Sequence, residues 1–102
     1  MSLIFNELKH EGYERILVAR EEKFKFYSIT AIHNTFRGPA LGGCRYFNYA
    51  SHEDQLRDVL NLSKAMTYKN SLANLKFGGG KANINAQIPK EQFYEFFSKV
   101  LN

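Results

Sequence analysis

Two lysines, Lys69 and Lys81, stand where ordinary surface explains them least. Lys81 closes the run Gly78-Gly79-Gly80-Lys81. Three adjacent glycines forfeit side-chain burial and cost backbone entropy, so a folded chain keeps them where main chain comes close to something or takes unusual dihedrals. Lys69 continues a helical seam: Val59, Leu62, Met66 and Lys69 recur at helical spacing, and Leu56 and Leu60 broaden the stripe. Its simplest role is to lay its stem over apolar surface and hold its ammonium in water. The alternative is chemical. Two ammonium groups in one partly dry pocket depress each other's pKa by like charge and by desolvation. One can then act as a base while the other, still charged, holds an anion such as a carboxylate. A second glycine segment, Gly42-Gly43, is available to shape such a cavity.

Standard motifs do not absorb these residues. A phosphate-binding loop needs a glycine at position 75 and a hydroxyl after the lysine, where this chain has Leu75 and Ala82. A dinucleotide fingerprint starting at Gly78 and Gly80 fails because Asn83 takes the third glycine's place. His10, His33 and His52 have no metal-ligand spacing. The Asn61-Leu62-Ser63 sequon lies inside a helical pattern and is set aside. Cys44, beside the second glycine pair, reads as a small packed thiol.

The elements that must carry the lysines follow from periodicity. Ile4 to His10, with apolar residues at 4, 5 and 8, suits a short opening helix ending near Gly12. Glu14 to Arg20 and Phe24 to His33 read as two strands of an antiparallel hairpin joined by the charged turn Arg20-Glu21-Glu22-Lys23. Asn34 to Pro39 carries turn residues, and Cys44 to Phe47 forms a short strand. Ser51, followed by Glu53 and Asp54, caps a helix that runs to about Asn70. Leu72 to Phe77 is a turn and short strand leading into the glycines. Pro89 opens a last helix with Phe93, Phe96, Phe97 and Val100 on one face.

Composition bounds the rest. A chain of 102 residues is one domain at most, residues 1–102, with 44% hydrophobic residues for its core. A single cysteine excludes an internal disulfide and suits a reducing cytoplasm. The net charge of +4 comes from cations spread along the chain and interleaved with acids, so nucleic acid is not the expected partner. No leader-like or membrane-length apolar run occurs, so no membrane association is expected.

Four motifs then point one way. Ala31-Ile32-His33-Asn34-Thr35, Gly38 to Arg45, Met66-Thr67-Tyr68-Lys69-Asn70 and Gly78-Gly79-Gly80-Lys81 resemble the N-terminal segment of the Glu/Leu/Phe/Val dehydrogenases, most closely the leucine branch. The resemblance covers nearly the whole chain and keeps the spacing between the two lysines. It implies an α/β fold, a mixed sheet with flanking helices, which supplies half a substrate pocket and most subunit contacts. It implies the oxidative deamination of a branched-chain or aromatic L-amino acid to its 2-oxo acid, with NAD bound by a separate Rossmann domain that this chain does not contain. Carried over by motif, Lys69 holds the substrate's α-carboxylate, and Lys81 is catalytic, acting through water. Leu41, Gly42, Gly43 and Met66 line the substrate site, with no metal. The implied partners are the amino acid or 2-oxo acid and further copies of the chain, in the cytoplasm. Without a nucleotide domain the chain alone is expected to turn nothing over. The competing expectation is a non-catalytic amino-acid-binding or assembly module built on the same scaffold. Cys44 stands where the family commonly has threonine, and Ala82 to Pro89 is more polar than the family's hydrophobic strand, which is expected to shorten it here.

Overall fold

The computed structural model describes residues 3–85, together with Glu91, Gln92, Glu95 and Ser98, which are helical and exposed. The aromatic face expected after Pro89 lies outside the described residues. Six strands and one long helix make up the rest: β1 (Ile4–Leu8), β2 (Arg15–Glu21), β3 (Phe26–Asn34), β4 (Ala40–Leu41), β5 (Cys44–Phe47), α1 (His52–Leu72) and β6 (Gly78–Asn85). The strand order is β1-β2-β3-β6-β4, with β5 also on β6. The sheet is mixed: β1, β2, β3 and β6 are antiparallel neighbours, whereas β4 and β5 run parallel to β6.

The expected hairpin forms. Ile16 faces Ala31 and Val18 faces Ile29 across β2 and β3, and these four residues meet Val59 and Leu60 of α1 in the main core, flanked by Tyr13, Tyr27 and Leu56. Alternation along each strand sends these residues to the side that the helix covers. Ser51 caps α1 as the sequence predicts, its hydroxyl accepting from the Asp54 N–H at 3.1 Å.

Three expectations are corrected. Ile4–Leu8 is an edge strand, not a helix, pairing Leu8 with Ile16 and Ile4 with Arg20. Every residue in it is exposed, so it carries no alternation that periodicity could detect, and the neighbouring edge of β2 decides its conformation. The buried seam of α1 runs through Gln55, Val59, Leu60, Ser63 and Asn70, while Leu62 and Met66 are half-buried and Lys69 is exposed. Polar residues take the seam because they find hydrogen-bond partners there. Finally, the short strand expected within Leu72 to Phe77 begins instead at the glycines themselves. They open β6, which is not shortened but runs eight residues to Asn85.

Candidate active site

The glycines at the start of β6 are explained by the protein's own main chain. A Cβ at Gly79 would lie 2.5 Å from the Ser63 carbonyl oxygen and nearer still to Thr67, so α1 rests directly on the strand. One at Gly78 would collide with the Asn34 carbonyl, and one at Gly42 with the carbonyl of Gly80. Glycine is required here for backbone against backbone, and it brings α1, β3, β4 and β6 to one place. Asn70 secures the junction. Its buried amide donates to Gly78 O at 2.8 Å and to Leu41 O at 3.3 Å, joining the last turns of α1 to β4 and β6.

Lys81 sits just beyond that junction. In the parallel pairing Ala40 faces Gly78 and Cys44 faces Ala82, so the register is unbroken across the two glycines between, and Gly43 stands beside Lys81. Neighbours across a sheet project to the same side. Gly43 has no side chain, and the space this leaves receives the lysine: a Cβ there would be 3.3 Å from Lys81 Nζ. The Gly43 carbonyl accepts from the Ala82 N–H at 3.1 Å, which fixes the local register. A hollow of about 260 Å³ lies on the other face of the sheet, among Thr30, Ile32, Ala40, Gly42, Gly80 and Ala82, which alternate with Lys81, and Gly43 and Lys81 border it.

The remaining expected residues fall into two groups. Leu41, Gly42 and Gly43 are gathered with Lys81 on the β4–β5 edge, Leu41 in β4 and partly exposed. Met66 and Lys69 do not border the hollow. They lie on the flank of α1 that also carries Asp58, since positions 58, 62, 66 and 69 share one side of a helix. Asp58 pairs with Arg45 of β5 at 3.3 Å, so this flank faces the same edge. Lys69 is exposed on this flank and precedes Asn70, whose amide reaches Leu41 O and Gly78 O.

Cys44 is exposed, not packed. Burial of its surroundings raises the thiol pKa, and the charge of Lys81 pulls the other way. On the opposite flank of α1, His33 Nδ1 lies 2.8 Å from Thr67 Oγ1, and its ring meets Tyr13 edge-on at 4.9 Å. Burial and the charge of Lys64 lower the His33 pKa, against a raising influence from Glu14. Sequence reasoning passed over Asn70, Thr67, Gln55 and Asn83. Polar residues at the spacing of the helix's buried face were the available signal. A larger cavity, about 390 Å³, lies at the far end of the sheet among Arg20, Glu21, Lys25, Tyr27, His52 and Asn85 and touches none of the expected site residues.

A mixed sheet backed by one long helix, with a lysine beside paired glycines, defines the class: the fold is that of an amino-acid dehydrogenase's N-terminal domain. Over 87% of the chain it superposes on the structure of L-tryptophan dehydrogenase from Nostoc punctiforme, with a TM-score of 0.73 and 36% identity, covering 28% of that chain. The chain belongs to the Glu/Leu/Phe/Val dehydrogenase dimerisation-domain family, whose model matches residues 15–99. It is 46% identical to phenylalanine dehydrogenase of Thermoactinomyces intermedius over 92% of its length. To leucine dehydrogenase of Geobacillus stearothermophilus it is 43% identical over 87%. These identities do not single out a substrate branch. The chain spans about a quarter of the length of these curated relatives, 26% and 24%.

Proposed function

We propose that this chain is the substrate-binding and subunit-contact domain of a cytoplasmic, NAD-dependent L-amino-acid dehydrogenase of the leucine type, one that deaminates its substrate to the 2-oxo acid. The observation that carries this reading is Lys81 Nζ resting in the space left by Gly43, on the edge where Leu41 and Gly42 also stand. In this assignment Lys69 holds the α-carboxylate by charge, a role suited to an exposed ammonium at the flank of a helix. Lys81 serves as the base for a water at the reacting α-carbon. Leu41 and Met66 meet the apolar side chain, and Gly42 and Gly43 line the site as main chain. The family's description as a dimerisation domain and the exposed apolar residues of β1, with Phe5 at 58% exposure, support self-association.

The described residues do not fit a dinucleotide. The start of α1 is reached from β5 through Asn48-Tyr49-Ala50-Ser51, which has no glycine to admit a pyrophosphate. Nucleotide binding is therefore assigned to a separate domain. Among the described residues no helix is long and apolar enough to cross a membrane.

The test is Lys81→Ala in a polypeptide that joins this segment to a nucleotide domain. NADH production from L-leucine should vanish while the circular dichroism spectrum and subunit assembly are kept. Retained turnover would refute the assignment. The 102-residue chain alone should produce no NADH under the same conditions.

A further inference from the structure

Gln55 and Asn83 are both fully buried, at 0% exposure, and they bind each other. Gln55 Nε2 donates to Asn83 Oδ1 and to Tyr27 O of β3, each at 3.1 Å. Asn83 Nδ2 donates to Gln55 O of α1 at 2.8 Å and to the Tyr49 hydroxyl at 3.3 Å. The Tyr49 hydroxyl in turn donates to Asp58, the partner of Arg45. One polar chain thus ties β3, β6, α1 and β5 together. It is not the arrangement that greatest stability alone would choose. Among the described residues Gln55 Oε1 is buried without a partner, and an apolar pair of the same volume would leave no such acceptor unmet.

What a hydrogen-bonded pair adds over an apolar one is direction. Hydrophobic contact tolerates sliding, whereas an N–H···O bond weakens steeply away from its length and angle. Strand alternation places Gly79, Lys81 and Asn83 on the face of β6 turned to α1, with Lys81 between a close-packed contact on one side and the amide pair on the other. We propose that Gln55 and Asn83 are positioning residues for Lys81: their bonds fix the spacing of β6 and α1, and so the place where the lysine's ammonium comes to rest beside Gly43. This role matters for turnover only if Lys81 is the working amine, but the amine's placement can be tested without turnover.

The 102-residue chain is treated with a trace of acetic anhydride, and acetylation at Lys81 relative to Lys69 is read by peptide mass spectrometry, with urea unfolding measured alongside. Asn83→Leu takes one of two acceptors from Gln55 Nε2, and Gln55→Met takes the donor from Asn83 Oδ1, so each should lower the unfolding midpoint. The double variant removes both amides and should recover most of that loss. In the double variant the Lys81 ratio should nevertheless change by about threefold or more, the scale of a displaced side-chain rotamer. Gly43→Ala, which narrows the space at Nζ, should change the same ratio in the parent background. A ratio in the double variant equal to the parent's would overturn the proposal. So would a double variant that fails to fold, because the pair would then be a stability element. Turnover retained in Lys81→Ala, with the labelling change still present, would instead refute the catalytic assignment and leave the positioning role standing.

Discussion

Replacing Gly79 by alanine tests the close approach on which the site is built. The added Cβ would lie 2.5 Å from the Ser63 carbonyl oxygen, with Thr67 nearer still, whereas ordinary contact begins near about 3.5 Å. Strand and helix must separate by roughly 1 Å or more to admit it. Two hydrogen bonds span this gap or sit at its edge, Asn70 to Gly78 O at 2.8 Å and Thr67 to His33 at 2.8 Å. Each contributes about 1 kcal/mol net, and overpacking a tight core adds about 1–3 kcal/mol. The expected cost is about 3–5 kcal/mol, a large share of the ~5–15 kcal/mol that holds a domain folded. Gly80 is the internal control, because a Cβ there meets the Ala40 Cβ at 3.1 Å and the Ala31 carbonyl at 3.4 Å, which a small adjustment relieves. Alanine at Gly80 should cost about 1 kcal/mol or less, since strand entropy also favours it. Urea unfolding followed by circular dichroism measures both. A loss below about 1 kcal/mol for Gly79→Ala, or equal losses at the two positions, would refute the reasoning.

Two further outcomes follow from the titrating groups. The folded state lowers the His33 pKa, so it binds the proton less tightly than the unfolded chain does. The stability this confers is complete above the unfolded value of about 6.5 and is lost as pH falls through it toward the lowered folded value. The melting temperature should therefore drop between about pH 8 and pH 5.5, and His33→Asn should lessen the drop. Cys44, its thiol pKa raised by burial despite Lys81, should react with iodoacetamide at about pH 7.5 more slowly in the folded chain than in urea. Equal rates would contradict the shift.

Legibility in the sequence varied with how local each signal was. The hairpin was readable because Ile16, Val18, Ile29 and Ala31 alternate into one core, and the helix start because a serine cap is local chemistry. β1 was misread because its five residues are all exposed and owe their conformation to the neighbouring strand. Apolar periodicity points the seam of α1 toward Leu62 and Met66, while the buried positions Gln55, Ser63 and Asn70 are polar and sustain burial through partners distant in sequence or on the helix's own backbone. The importance of the glycine run was visible at once. Its reason was not, since the carbonyls of Asn34 and Ser63 approach it only in the folded chain. The glycine run singles out Lys81 and the resemblance supplies its expected role, while the unbroken register across Gly42-Gly43 gives that lysine its neighbour.

The central place of β6 has a consequence in time. It is the last strand in the described order, yet it inserts between β3 and the β4–β5 edge. Ile84 pairs with Ser28, 56 positions earlier, and Gly78 with Ala40, 38 positions earlier. Such distant pairings are slow to close. A nascent chain halted before Gly78 has a hairpin and a helix but no completed sheet for the helix to rest on. The surroundings of Lys81 are thus assembled only when β6 pairs with β3 on one side and with β4 and β5 on the other.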